Sequence, residues 1–153
     1  MILRESSADA IVIALSEAEG DLLKEIFADY PLVANDEREL TRSAAHEDLE
    51  EDTELLRSSI AESNQISRRR LDDWLNNPQT FQKKDEEWLL RFEKEQLDWM
   101  LQILNDLRIG SWQQLKCPSQ DELSALPLSP DTFKPICTME MAGALQAILL
   151  IRQ

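Results

Sequence analysis

The first third of the chain shows a strand pattern followed by a helix pattern. Residues 2–3 and 11–13 are rich in β-branched side chains and flank the turn-forming residues 6–9, which predicts a short hairpin. Ser16 and Glu19 then form a capping box, because the hydroxyl and the carboxylate can each bond the other residue's backbone N–H. Apolar residues follow at helical spacing, at Ala18, Leu22, Leu23, Ile26, Phe27 and Tyr30. The pattern predicts a hairpin covered by a helix.

The middle of the chain carries a second helical pattern after a connection at residues 31–45, where Asn35 and Asp36 indicate a turn. Apolar residues recur at Leu49, Leu56, Ile60, Ile66, Leu71, Trp74 and Leu75. The polar pair at residues 64–65 interrupts the pattern, which leaves open whether residues 46–77 form one helix or two. Pro78 ends the segment in either case, because the residue before a proline avoids the helical conformation.

A third helix is predicted from Asp85 to Ile109. The acidic residues 85–87 would stabilise its first turn through the helix dipole. A wide apolar stripe follows at Trp88, Leu89, Phe92, Gln96, Trp99, Met100, Ile103, Leu104 and Leu107. Trp88 and Trp99 would share a face of this helix in the core. Gly110 suits the position just after a helix end.

Shorter segments follow Gly110. Residues 111–115 predict a single turn, and the capping box of Ser119 and Glu122 predicts a short helix to residue 126. Ser129 and Pro130 suit the cap and first position of another helix. Residues 139–151 are apolar on nearly every face, which is typical of a centrally buried helix.

Length and composition support one α+β domain over residues 1–153. At 153 residues and 42% hydrophobic content, one hydrophobic core suffices. The expected fold is predominantly α: a β-hairpin in residues 1–15 packed on a helical body, residues 16–153, that is a bundle of about four main helices.

Charge and cysteine usage limit the partners and the location. The chain has 30 acidic and 16 basic residues and a formal charge of −14, which disfavours nucleic acid and anionic membrane surfaces. Residues 139–151 are shorter than the ~20 residues of a membrane span, and no signal-peptide pattern opens the chain. Cys117 and Cys137 form no disulfide framework or CxxC pair, so we expect buried, inert thiols and a cytoplasmic protein.

The motifs of common catalytic sites are missing from the sequence. His46 is the only histidine, so the two-histidine zincin motif is excluded and a catalytic triad would have to use His46. No nucleophile elbow and no glycine-rich phosphate loop occurs. The acidic run at residues 47–54 lacks the pattern of a calcium loop and predicts a solvated helix start. We therefore predict no catalytic, cofactor-binding or metal-binding residue and no cofactor.

Six residues are the candidates for contact with a partner. Trp112 lies in a polar neighbourhood beyond the predicted helix end, which favours exposure, although core packing is the alternative. The last turn of that helix can present Asn105, Asp106 and Arg108 to a partner, or use them for local contacts. Arg68 and Arg69 either complement the C-terminal dipole of their helix or form, with Lys83 and Lys84, a basic patch for an acidic partner.

Three stretches resemble a bacterial family known as domain of unknown function 2017. They are residues 10–19 with Leu22 and Leu23, residues 101–108, and residues 144–150. Members of that family are often encoded beside the adaptor of the Clp protease, so the resemblance implies a role in regulated proteolysis. It implies no catalytic residue.

These observations favour a non-enzymatic regulatory or protein-interaction protein, an adaptor linked to protein turnover. The partner is either a second, unidentified protein or another copy that pairs through the long tryptophan-bearing helix. The alternative is a small enzyme or ligand binder that uses carboxylates in a pocket between helices.

Overall fold

The computed structural model describes residues 1–7, 9–32 and 49–151. Within these ranges a four-stranded antiparallel sheet and five helices follow one another, and the N-terminal hairpin precedes the helices. The elements are β1 (Ile2–Ser6), β2 (Ala10–Ser16), α1 (Glu17–Ala28), α2 (Leu49–Asn76), β3 (Phe81–Lys84), β4 (Glu87–Glu93), α3 (Lys94–Gln114), α4 (Gln120–Ala125) and α5 (Pro130–Leu150). The predicted class, α+β and predominantly α, is confirmed.

The N-terminal hairpin and the first helix agree with the sequence pattern. The Ser7 hydroxyl accepts from the Ala10 backbone N–H at 3.1 Å, which closes the turn between β1 and β2. At the start of α1, Ser16 Oγ accepts from the Glu19 N–H at 3.3 Å, and the Glu19 carboxylate accepts from the Ser16 N–H at 2.8 Å. The predicted capping box is therefore present, and it directs α1 back over the sheet.

The prediction of a helix over residues 85–93 is wrong, because β4 lies there. Trp88, Leu90 and Phe92 are buried and Arg91 is exposed, which is the alternation of a strand. The strand pairs with β2 along its whole length and with β3, so the sheet order is β1-β2-β4-β3. Long-range pairing thus overrides a local pattern that also suits a helix. Trp88 and Trp99 consequently do not share a helix face.

The second helical pattern forms a single helix, α2, without a break at residues 64–65. Leu71 and Trp74, near its C-terminal end, are buried in the core. The helix ends at Asn76, just before Pro78, as predicted. The predicted turn at Asn35–Asp36 and His46 lie outside the described residues.

The third helix ends later than predicted. Gly110 does not follow its end but lies inside α3, which continues to Gln114 and includes most of the turn expected at residues 111–115. A Cβ at Gly110 would lie 2.8 Å from Leu32 Cβ. Close packing of Leu32 against α3, rather than a left-handed backbone, therefore accounts for this glycine.

The last two helices begin at the predicted caps. Ser119 caps α4 through a capping box with Glu122, and Ser129 caps α5 with Pro130 in the first turn. The prediction that residues 139–151 are buried centrally is wrong, because one side of α5 packs along α3 while the other side is exposed. The low number of charged residues in this segment therefore does not imply that every side of α5 is buried.

The core lies between the sheet and the helices, and aromatic rings form its centre. Trp74 of α2 stacks on Phe92 of β4 with ring centroids 5.0 Å apart, and Phe81 stacks on Trp88 at 4.8 Å. Phe27 of α1 meets the edge of Trp74 at 6.2 Å. These contacts hold α1 and α2 against the sheet.

Candidate functional site

The exposed side of α5 is a largely apolar helical surface. Its residues recur every three or four positions, so they share one side of the helix, and we name this side the α5 outer face: Phe133, Cys137, Glu140, Ala144, Ala147 and Ile151. Phe133 is 52% exposed and Ile151, directly after the helix, is 75% exposed. Glu140 is the one charged residue of this set.

The opposite side of α5 is buried, which determines the orientation of the helix. Its residues are Thr138, Ala142, Leu145 and Leu149, each less than 5% exposed. Polar bonds add to this packing, since Arg108 Nη1 of α3 donates to Gln146 Oε1 at 2.7 Å and Gln146 Nε2 donates to the Leu101 carbonyl at 3.3 Å. The α5 outer face is therefore held outward by contacts on the other side of the helix.

Three of the predicted partner-binding residues lie on α3 next to α5. Asn105, Arg108 and Trp112 are spaced by three and four positions and so share one side of α3. Arg108 lies over α5, where a Cβ at Gly143 would be 3.6 Å from its Nε. Trp112 is 39% exposed, and its indole N–H donates to the Pro118 carbonyl at 2.9 Å. The exposure expected for Trp112 is thus present.

Asp106 lies on a different side of α3 from these residues. It accepts hydrogen bonds from the Tyr30 hydroxyl at 3.3 Å and from Gln102 Nε2 at 2.8 Å. Burial raises the pKa of Tyr30, and the nearby Asp106 carboxylate raises it further because it disfavours the phenolate. Asp106 therefore links the end of α1 to α3.

The two predicted arginines of α2 differ in their surroundings. Arg68 donates through Nη1 to the carbonyls of Phe27 at 2.6 Å, Ala28 at 3.1 Å and Tyr30 at 2.9 Å, and it forms an ion pair with Asp72. It therefore satisfies carbonyl groups at the C-terminal end of α1. Arg69 is exposed and has no such contacts among the described hydrogen bonds, although both arginines line a groove beside Pro31.

The lysines proposed to join the arginines in a basic patch lie on β3. Lys83 forms an ion pair with Glu17 at the start of α1. That contact raises the pKa of Lys83, because the carboxylate stabilises the ammonium form. Arg68 therefore contacts the C-terminal end of α1, and Lys83 contacts its N-terminal end.

The thiols are more accessible than the sequence predicted. Cys117 is exposed in the turn after α3, and Cys137 is half-buried on the α5 outer face. In the described ranges no three His, Cys, Asp or Glu side chains come together in a way that could hold a metal ion. None of the described helices is long and apolar enough to cross a membrane.

The α5 outer face is the feature that the sequence analysis missed. Between Ile136 and Ile151 the sequence contains one charged residue, Glu140, a pattern that suits complete burial as well as a one-sided apolar surface. An aliphatic helix packed on only one neighbour leaves half of its surface open, and the number of neighbours is not visible in the sequence.

Compared with known protein families, curated proteins and solved structures, the chain shows no match. The likeness to the uncharacterised bacterial family described above stays a prediction.

Proposed function

We propose that this chain acts by binding another protein, and that the α5 outer face is the docking surface. The observation that carries the proposal is the exposed, nearly uncharged side of α5 in a chain whose charged residues make up 30% of the sequence. Contiguous apolar surface is costly to expose to water and marks interaction sites on soluble proteins. Trp112 and Arg108 lie on the neighbouring helix, and both residue types are enriched at protein interfaces.

The partner that fits this face is an amphipathic helix with basic residues along its edges. A helix can lay its apolar side along α5, with small residues at Ala144 and Ala147 allowing close approach. The chain's formal charge of −14 attracts a basic partner over long range and repels a second copy of itself. Glu140 lies within the face, where a lysine or arginine of the partner would pair with it.

An adaptor in regulated proteolysis is the specific form of this function that we propose. The support is the resemblance of residues 10–19, 101–108 and 144–150 to the bacterial family encoded beside the Clp adaptor. The third of these stretches overlaps the α5 outer face. A photo-crosslinking residue at position 144, compared with one at position 58, tests this form against purified components of the Clp system. Crosslinks from position 144 alone are expected.

The general proposal is tested with a synthetic helical peptide that carries leucines on one side and lysines along its edges. Fluorescence anisotropy measures its affinity for the wild-type chain and for Ala144→Lys, which places a charge in the docking surface. We expect the substitution to weaken binding by about tenfold or more, because a buried charge without a partner opposes association.

Two controls separate docking from general attraction between opposite charges. Ser58→Lys changes the net charge by the same amount at an exposed position of α2 and should leave the affinity unchanged. A scrambled peptide of the same composition should bind at least about tenfold more weakly. Equal binding of both peptides, or an equal effect of both substitutions, would contradict the proposal. A dimer in analytical ultracentrifugation that Ala144→Lys dissociates would assign the face to a second copy instead.

A further inference from the structure

A polar cleft with a volume of about 280 Å³ lies where the C-terminal end of α2 meets the N-terminal end of α3. We name it the α2–α3 cleft. One wall carries Arg70 and Asp73, which are three positions apart on α2 and so share a side of it, together with Asn77 directly after the helix. The other wall carries Gln96 and Trp99 of α3. Two ionic side chains, two amides and one half-buried indole therefore surround a single small volume.

The floor of the cleft is buried and hydrogen-bonded. Trp74 and Thr80 lie beneath it and are 3% and 4% exposed. The Thr80 hydroxyl bonds the carbonyls of Trp74 and Asn77, and the Trp74 indole N–H donates to the Arg91 carbonyl at 3.3 Å. A ligand would therefore meet a surface that is already formed, which lowers the entropy cost of binding.

The two amides of the cleft both offer donors to a ligand. Asn77 Oδ1 accepts from the Gln79 backbone N–H at 2.9 Å, and Gln96 Oε1 accepts from the Glu93 backbone N–H at 3.0 Å. Because each amide oxygen already accepts a hydrogen bond from a backbone N–H, the NH₂ group of each amide is the part that can donate to a ligand in the cleft. Arg70 adds a guanidinium and Trp99 an indole N–H, while Asp73 supplies the carboxylate acceptor.

We propose that the α2–α3 cleft binds a small hydroxycarboxylic acid. The ligand carboxylate pairs with the Arg70 guanidinium, which suits a planar, two-oxygen acceptor. A ligand hydroxyl donates to Asp73, and further oxygens accept from the amides of Asn77 and Gln96. The C–H surface of the ligand lies against the indole of Trp99. The volume is close to the lower end of the range for ligand pockets, about 300 Å³, which suits a molecule of monosaccharide size.

Two classes of ligand carry both a carboxylate and hydroxyl groups: cyclic sugar acids and open-chain hydroxy acids. Glucuronate and tartrate serve as probes for the two in isothermal titration calorimetry. Glucose lacks the carboxylate and acetate lacks the hydroxyl groups, so each should bind at least about tenfold more weakly than the better hydroxy acid. The stronger of the two hydroxy acids identifies the class. The site is independent of the α5 outer face, so failure of either proposal leaves the other standing.

Substitutions in the cleft assign any binding to it. Arg70→Gln and Asp73→Asn should each reduce the affinity by about tenfold to a hundredfold, because each removes a charged hydrogen-bonding group. Arg69→Gln and Asp98→Asn make the same chemical changes at exposed positions outside the cleft and should retain the affinity. All four side chains are exposed, and thermal unfolding monitored by circular dichroism checks that each variant folds.

Trp99→Phe provides a second measurement. It keeps an aromatic surface but removes the indole N–H, so the affinity should fall. The change in tryptophan fluorescence on ligand addition should become smaller than in the wild type, because only Trp74 of the cleft then remains. The proposal is overturned if neither hydroxy acid produces heat at concentrations up to about 10 mM, a limit that corresponds to negligible affinity. It is equally overturned if binding survives both Arg70→Gln and Asp73→Asn.

Discussion

Gly20 lies in α1 against the Trp88 side chain of β4. A Cβ built at this position would come within 1.9 Å of Trp88 Cδ1 and 2.7 Å of Trp88 Cβ, so no rotation of the indole alone would make room. Since Trp88 stacks on Phe81 and Lys24 lies 4.1 Å from the centre of its ring, the tryptophan has little freedom to move. The contact between α1 and the sheet therefore depends on the absence of a side chain at residue 20.

We expect Gly20→Ala to lower the free energy of unfolding by about 1–3 kcal/mol, because overpacking outweighs the gain in helix propensity. Gly143→Ala in α5 is the matched control. Its added Cβ would lie 3.6 Å from Arg108 Nε, an ordinary contact, so propensity alone should raise stability by up to about 1 kcal/mol. Urea denaturation of the two variants measures both effects. Equal effects of the same sign would contradict the packing argument.

The Glu19 carboxylate of α1 forms an ion pair and a capping hydrogen bond. It accepts from the Met1 ammonium at 2.8 and 2.9 Å and from the Ser16 N–H. Partial burial acts to raise the pKa of Glu19, but the ammonium and the hydrogen bonds outweigh burial and hold the pKa below its ordinary value of 4.5. The folded state therefore favours the ionised carboxylate.

A carboxyl pKa that is lowered on folding stabilises the protein above the unfolded pKa, and this stability is lost as the pH falls through the folded pKa. Glu19→Gln should therefore cost up to about 1 kcal/mol at neutral pH, since the pair is partly screened by solvent. The difference from the wild type should shrink as the pH falls below 4.5. Urea denaturation of the wild type and the variant across this pH range measures the difference. A difference that grows in acid would refute the assignment.

At the scale of elements, one side chain joins the end of α1 to α2. Arg68 bonds three carbonyls near that end, and Asp72, one turn further along α2, holds its guanidinium. Helix C-termini leave carbonyls without partners, and charged donors bind them strongly. The sequence suggested either a dipole effect within α2 or a partner surface for this residue, and the structure adds a third role, the connection of two helices.

Arg68→Met should lower the free energy of unfolding by about 2–3 kcal/mol, because carbonyl groups of α1 lose a charged donor. Arg69→Met, at the adjacent exposed position, should change it by less than about 0.5 kcal/mol. Thermal and urea unfolding of both variants provide the comparison. A similar small effect for both would show that the contacts of Arg68 contribute little.

The elements also show where the sequence pattern was ambiguous. Residues 85–93 contain acidic residues followed by apolar ones, which suits both a helix start and an alternating strand. The strand forms because β2 pairs with one of its edges and β3 with the other. Of these two partners, β2 lies far away in the sequence. The capping boxes at Ser16 and Ser119, by contrast, involve residues three positions apart and were predicted correctly.

At the scale of the whole molecule, charge and apolar surface are distributed unequally. The formal charge of −14 belongs to the chain as a whole, while the α5 outer face carries one charged residue. A negative field around a surface with a single charged residue favours a basic, amphipathic partner. The α2–α3 cleft has a different character, since one arginine, one aspartate and several donors surround a small volume. The packing of α5 on α3 leaves one site exposed, and the approach of α2 to α3 forms the other. Neither site corresponds to a sequence motif.

Of the six residues nominated for partner contact, the structure places Asn105, Arg108 and Trp112 on one side of α3 and Asp106 on another. Helical spacing alone could have separated Asp106 from the others. The internal contacts of Arg68 could not have been predicted, because they depend on where the end of α1 meets α2. The residues of the α2–α3 cleft come from α2, the turn after it and α3, so no spacing in the sequence brings them together.

The sequence by itself determined the features that depend on near neighbours and on composition. These are the N-terminal hairpin, the capped starts of α1, α4 and α5, a hydrophobic content sufficient for one core, and the acidic net charge. Only the tertiary structure decided that β4 is a strand, that α5 is buried on one side, and that Arg68 joins two helices. The physical reason is that hydrogen-bond pairing between strands and burial of a helix face depend on residues far away in the chain, whose positions no local periodicity encodes.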